Sequence, residues 1–103
     1  MNVEKKIEKL GFSKIEESRY GAYYQKQTDR YLHRVDILWK QGNAILQSYD
    51  PNLIDVDGIG NTCVGLSHAE MLVFAQKMKE YERVMEFYRR ILYGRKRNNF
   101  KFY

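Results

Sequence analysis

Asp55-Val56-Asp57-Gly58-Ile59-Gly60 is the stretch of this chain whose residue types come closest to a ligand loop. Carboxylates interleaved with glycines are what a calcium loop needs, and with Asp55 in the first place Gly60 falls where the sharp turn requires a glycine. The fifth place, however, is Ile59 and the twelfth is Leu66, where a calcium loop needs oxygen ligands and a bidentate glutamate. Turn chemistry accounts for these residues better, because Asp and Gly are common turn formers for backbone reasons. Gly58 and Gly60, followed by Gly65, also suggest a loop cradling phosphate. A Walker loop ends in Gly-Lys-Ser/Thr, and Gly65-Leu66-Ser67 lacks the lysine. A dinucleotide site needs a parallel βαβ unit, which this chain does not offer.

Cys63 and His68 lie five residues apart, and a thiol beside an imidazole is the minimum for a cysteine nucleophile. Neither a third orienting group nor an oxyanion loop accompanies them. Two histidines and one cysteine do not fill a tetrahedral zinc site. Cys63 therefore reads as a small buried hydrophobe and His68 as a polar residue of a first helical turn. His33, on the apolar side of a strand, reads as a hydrogen-bonded histidine rather than a ligand. No residue is assigned to catalysis, to a metal or to a cofactor, and the expected class is a non-enzymatic protein.

The remaining candidate is the end of the chain. Residues 89–103, RRILYGRKRNNFKFY, hold six of the 18 Lys and Arg residues and no acid, which leaves twelve against thirteen Asp and Glu in residues 1–88. The net charge of +5 therefore belongs to this end alone, and localised positive charge attracts polyanions. Arg95, Lys96, Arg97 and Lys101 suit phosphate contacts, and Phe100, with Tyr93, Phe102 and Tyr103, suits stacking on bases, the combination used for single strands. The competing reading is structural: Arg89 and Arg90 oppose a helix dipole, and Phe100-Lys101-Phe102-Tyr103 alternates as a docking strand does.

The elements that position these residues follow from periodicity. Val3, Ile7 and Leu10 recur at helical spacing between Asn2, a good N-cap, and Gly11, a good stop, with Phe12 placed to fold back on Ile7. From Ile15 to Asp50 the period becomes two. Arg19 to Gln27 is an aromatic-rich strand that ends at a Thr28-Asp29-Arg30 turn. In Tyr31 to Lys40, Tyr31, His33, Val35, Ile37 and Trp39 share the covered face and Arg34, Asp36 and Lys40 the open one. Gln41-Gly42-Asn43 turns the chain into Ala44–Tyr49, and Asp50-Pro51-Asn52 closes a three-stranded antiparallel meander. A short further strand at Leu53–Val56 is compatible with the pattern.

Ser67-x-x-Glu70 is a capping box opening a helix that Gly94 is expected to stop after Tyr93. Phe74, Met78, Tyr81, Met85, Tyr88 and Leu92 form a heptad-like seam, widened by Met71, Ala75, Val84 and Ile91. Such a helix spans roughly 40 Å, against roughly 26 Å for a strand of eight residues, so it is expected to overhang the sheet, the alternative being a break near Glu80–Glu82 with the second half folded back. An overhanging apolar stripe needs cover, and a second copy of the chain is the nearest candidate, with Met85, Tyr88 and Leu92 as dimer contacts.

The order LGFSKIEES, YYQKQ, VDILWKQGNAILQSY and GLSHAEMLVFAQKMKE resembles short uncharacterised proteins of Gram-positive bacterial phages and mobile elements, over about residues 7–80. The resemblance implies an αβββα arrangement and a bacterial cytoplasmic setting, and brings no catalytic residues. MNVEKKIEKL has no apolar core like that of a signal peptide, and the longest apolar run, Met71 to Ala75, is far below the roughly 20 residues of a membrane span. The sequence thus predicts an α+β domain over 1–94 and a basic aromatic tail over 95–103. Its expected partners are a second copy, another protein or single-stranded nucleic acid, and no membrane.

Overall fold

The computed structural model describes residues 1–54 and 61–100, with side chains for 1–53 and 63–91. The Asp55–Gly60 turn and the Asp55–Val56 part of the further strand lie outside the described residues, as do Lys101, Phe102 and Tyr103.

Helix α1 covers Val3–Lys9, and Asn2 Oδ1 accepts the Lys5 amide at 2.9 Å. It ends as its sequence predicts. Gly11, at φ +97°, donates to the Glu8 carbonyl, and Phe12 donates to Ile7, the paired bonds of a Schellman stop. Phe12 and Ile7 are both buried in the core, so the apolar contact that accompanies such a stop is present.

Five strands follow, all antiparallel and in chain order: β1 Ser13–Ser18, β2 Gly21–Gln27, β3 Leu32–Lys40, β4 Asn43–Ile54 and the short β5 Asn61–Cys63. The expected three-stranded meander is thus β2–β4, with one more full strand and a three-residue one at the edges. β1 was not legible because all six of its residues are exposed and SKIEES carries no apolar alternation. It is an edge strand held by main-chain pairing to β2 and by its charges. β2 begins at Gly21 rather than Arg19, since Ser18 pairs with Gly21 and leaves Arg19-Tyr20 as the turn. A Cβ at Gly21 would lie 2.5 Å from the Ile37 carbonyl oxygen, so only glycine allows this approach to β3.

Gln41 and Gly42, both at positive φ, form the two-residue turn between β3 and β4. Asp50-Pro51-Asn52 does not close the sheet: β4 runs on to Ile54 across an irregularity between Asp50 and Ile54. Proline has no amide to donate, and an interrupted ladder is where a strand accepts one. Buried Asp50 takes the Asn52 amide at 2.9 Å there.

Both helices cover one face of the sheet. Ala22 pairs with Ile37 and Tyr24 with Val35, and these four pack with Val3, Ile7, Phe12 and Phe74 into the core. The β3 alternation therefore has the expected phase. Asp36, expected in the open, is buried nonetheless. It lies on the uncovered face, where Arg34 Nε donates to one carboxylate oxygen at 2.9 Å and the Tyr49 hydroxyl to the other at 2.6 Å. Its neighbours' side chains bury it, not the helices.

Helix α2 covers His68–Phe100, 33 residues or roughly 50 Å. Ser67 Oγ accepts the Glu70 amide at 3.1 Å and Glu70 Oε1 accepts the Ser67 amide at 2.8 Å, completing the capping box. The stop expected at Gly94 does not occur; the helix passes through it to Phe100. A Schellman stop at Gly94 would bring Arg95 back over Arg90, two like charges where Gly11 has Phe12 over Ile7. Continuing through a glycine costs only about 1 kcal/mol relative to alanine.

Candidate self-association surface

The first half of α2 is fastened to the domain by charge as well as by Phe74. Lys77 is buried within the helix–sheet interface, its Nζ 2.6 Å from Glu4 Oε1 of α1 and 3.0 Å from Glu17 Oε2 of β1. Lys14 reaches the other Glu17 oxygen at 2.7 Å, and the Tyr24 hydroxyl donates to Glu4 at 2.9 Å. Burial opposes the charge on Lys77, but its bonds to Glu4 and Glu17 outweigh that and raise its pKa above the ordinary lysine value. Burial likewise pushes Glu17 up, and its lysine partners more than reverse the shift, leaving it below the usual carboxylate value.

A second fastening lies at the start of the helix. Lys26 Nζ sits 2.7 Å from Glu70 Oε2, 4.5 Å from the centre of the Phe12 ring, and within reach of the Leu10 carbonyl. Glu70 thus serves the capping box with one oxygen and the β2 lysine with the other. Burial acts to raise its pKa, but Lys26 and the Ser67 amide prevail and lower it.

Beyond Tyr81 this support ends. Among Glu82–Ile91 no residue is buried and only Met85 is half-covered. The overhang expected from helix length is present, and the described chain measures 57 × 40 × 21 Å, with a radius of gyration of 16.9 Å. A compact chain of this length has about 13 Å.

The projecting half is amphipathic. Val84, Phe87, Tyr88 and Ile91 are 51%, 61%, 54% and 39% exposed, at i, i+3, i+4 and i+7, the spacing of one helix face. Glu82, Glu86, Arg89 and Arg90 occupy the other side, with Glu86 3.5–3.6 Å from both arginines. At 100° per residue this apolar ridge is rotated by roughly a quarter turn from the direction of Phe74, Tyr81 and Met85. It lies beside the sheet-facing seam rather than on it.

That rotation decides which expected contacts are available. Tyr88 belongs to the exposed ridge, whereas Met85 is half-covered beside Tyr81; the side chain of Leu92 lies outside those described. Phe87 was missed, since a seam drawn through Phe74 and Tyr81 follows the sheet-facing direction and passes it by. Arg95, Lys96, Arg97 and Phe100 belong by backbone to α2, and their side chains, with all of Lys101, are outside the described set.

A groove of about 290 Å³ adjoins the ridge, between the end of β1 and α2. Glu17, Ser18 and Arg19 form one wall and Glu80, Val84 and Tyr88 the other. Cys63 is exposed, not buried, because it ends the edge strand β5, and His68 is exposed at the start of α2. His33 is a buried histidine with Nε2 2.7 Å from Ser48 Oγ and its ring edge-on to Phe12; burial foremost lowers its pKa. Among the described residues no three His, Cys, Asp or Glu side chains come together as a metal site, and no helix is long and apolar enough to cross a membrane.

No family model, curated protein or solved structure matches the chain.

Proposed function

We propose that the protein is a non-enzymatic interaction module that self-associates as a homodimer through the projecting half of α2. One observation carries this reading: Val84, Phe87, Tyr88 and Ile91 form an uncovered apolar ridge on a helix whose other side is charged. Water disfavours such a ridge, and a homodimer buries the same ridge twice. The pattern resemblance adds a bacterial cytoplasmic setting among phages and mobile elements, with another protein as the alternative occupant.

Sedimentation velocity at tens of micromolar, roughly where modest interfaces assemble, tests it. The wild type sediments as a dimer, and Val84→Glu combined with Ile91→Glu as a monomer with unchanged circular dichroism. A monomeric wild type overturns the proposal.

A second reading, as an accessory protein binding single-stranded nucleic acid, is favoured by the passage of α2 through Gly94. Continued helix spaces Arg83, Arg90 and Arg97 by seven residues, on a side turned away from the ridge. Binding of a fluorescent single strand would weaken with salt with a log–log slope of roughly −2 to −4, and deletion of residues 95–103 would abolish it. No binding at low salt removes this reading.

A further inference from the structure

The order of charges along the projecting helix says how two copies meet. Around and beyond Tyr81, Glu80, Glu82 and Glu86 come first, and Arg89, Arg90, Arg95, Lys96 and Arg97 follow, with Lys79 and Arg83 as the exceptions. Two such helices side by side in parallel set acid against acid and base against base. Turned end for end, they set the acidic stretch of each against the basic stretch of the other.

The ridge selects a register. Val84 and Ile91 are equally far from the midpoint between Phe87 and Tyr88, as are Glu80 and Arg95. A two-fold axis through that midpoint packs Val84 on the partner's Ile91 and Phe87 on the partner's Tyr88. It also brings the partner's Arg95 opposite Glu80.

Glu80 fits that role. It lines the groove beside β1 and forms no ion pair among the described residues, whereas Glu17 on the opposite wall is already held by Lys14 and Lys77. Val84 and Tyr88 belong both to the ridge and to the groove wall, so a helix lying on the ridge runs on into the groove.

Resting on the self-association reading, we infer that the second copy docks antiparallel, its α2 crossing at Phe87–Tyr88 and its basic end entering the groove between β1 and α2 against Glu80. The occupant of the groove is then the same chain, supplying a cation to Glu80; Arg19 and Lys77 also line the groove, and Lys77 is held by Glu4 and Glu17. Each copy offers one groove and one basic helix end, so the arrangement closes at two.

Disulfide trapping in a Cys63→Ser background tests the register. Val84→Cys mixed with Ile91→Cys forms a cross-linked heterodimer under mild oxidation, while Val84→Cys alone does not, because its two thiols lie about 10 Å apart along the antiparallel axis. Glu80→Arg and Arg95→Glu each weaken the dimer at least ten-fold, and the two changes in one chain restore it. Self-cross-linking of Val84→Cys, or no cross-link in a chain that sediments as a dimer, overturns the antiparallel register while leaving self-association standing. A wild type that sediments as a monomer overturns both.

Discussion

The Tyr81 hydroxyl donates a 2.7 Å hydrogen bond to the main-chain carbonyl of Ser18, and Tyr81 is the last buried residue of α2 among those described. This bond joins the end of β1 to the point where the helix leaves the sheet, with the Trp39 ring 6.1 Å away from that of Tyr81. It divides α2 into a supported half, which belongs to the core, and a projecting half, which carries the ridge.

Tyr81→Phe keeps the ring and removes the bond. The expected loss is about 1 kcal/mol, the usual net worth of one hydrogen bond, read as a lower urea midpoint. Amide exchange should quicken at β1 and after residue 81, with α1 unchanged. Uniform exchange across the molecule would show that the bond does not mark the boundary.

Ser67→Ala removes the acceptor for the Glu70 amide. Stability should fall by about 1 kcal/mol, and Ser67→Thr should recover most of it. An unaltered midpoint for the alanine variant would rule out the cap as a contributor.

Lys77→Met removes one of two cations shared by Glu4 and Glu17, at 2.6 and 3.0 Å, and leaves them Lys14, at 3.5 and 2.7 Å. Breaking a fully buried pair costs about 3–5 kcal/mol. Both glutamates keep 32% of their side-chain surface in water, so a smaller loss of about 1–2 kcal/mol is expected, with β1 the first element released. Pairing Lys77→Met with Glu17→Gln should lessen the loss. If the second change made it larger, charge would not be the cause.

Stability should decline towards acid in two stages. His33 has a folded pKa below its ordinary 6.5, so the folded state binds fewer protons than the unfolded one, and stability falls once pH drops below that value. Glu17 and Glu70, held below their ordinary 4.5, add a second fall from about that pH downwards, complete below their folded values. Glu70→Gln preserves a capping-box side chain but not the charge facing Lys26, so it should lower neutral stability and flatten the acid fall. Urea titrations at pH 7.5, 5.5 and 3.5 would check this, and equal pH profiles for wild type and variant would refute it.

Local chemistry was legible in the chain itself. The Asn2 cap, the Gly11 stop, the Ser67–Glu70 box and the phase of Val35 and Ile37 each depend on residues within a few positions of one another, and each is present. Features that depend on distant neighbours were not legible. β1 has no apolar signature because β2 pairs with its main chain, and main-chain bonds leave no trace in side-chain pattern. Asp36 is buried by Arg34 and Tyr49, and Lys77 by α1 and β1, so their burial follows from partners up to 73 positions away. The same contrast separates the two glycines. Gly11 stops its helix because Phe12 has a core to enter, and Gly94 does not stop α2, where the next residue is a charged arginine. Composition and spacing announced an apolar stripe on α2; only the sheet, by ending at Tyr81 and covering one side of the helix, decided which residues of that stripe remain open to a partner.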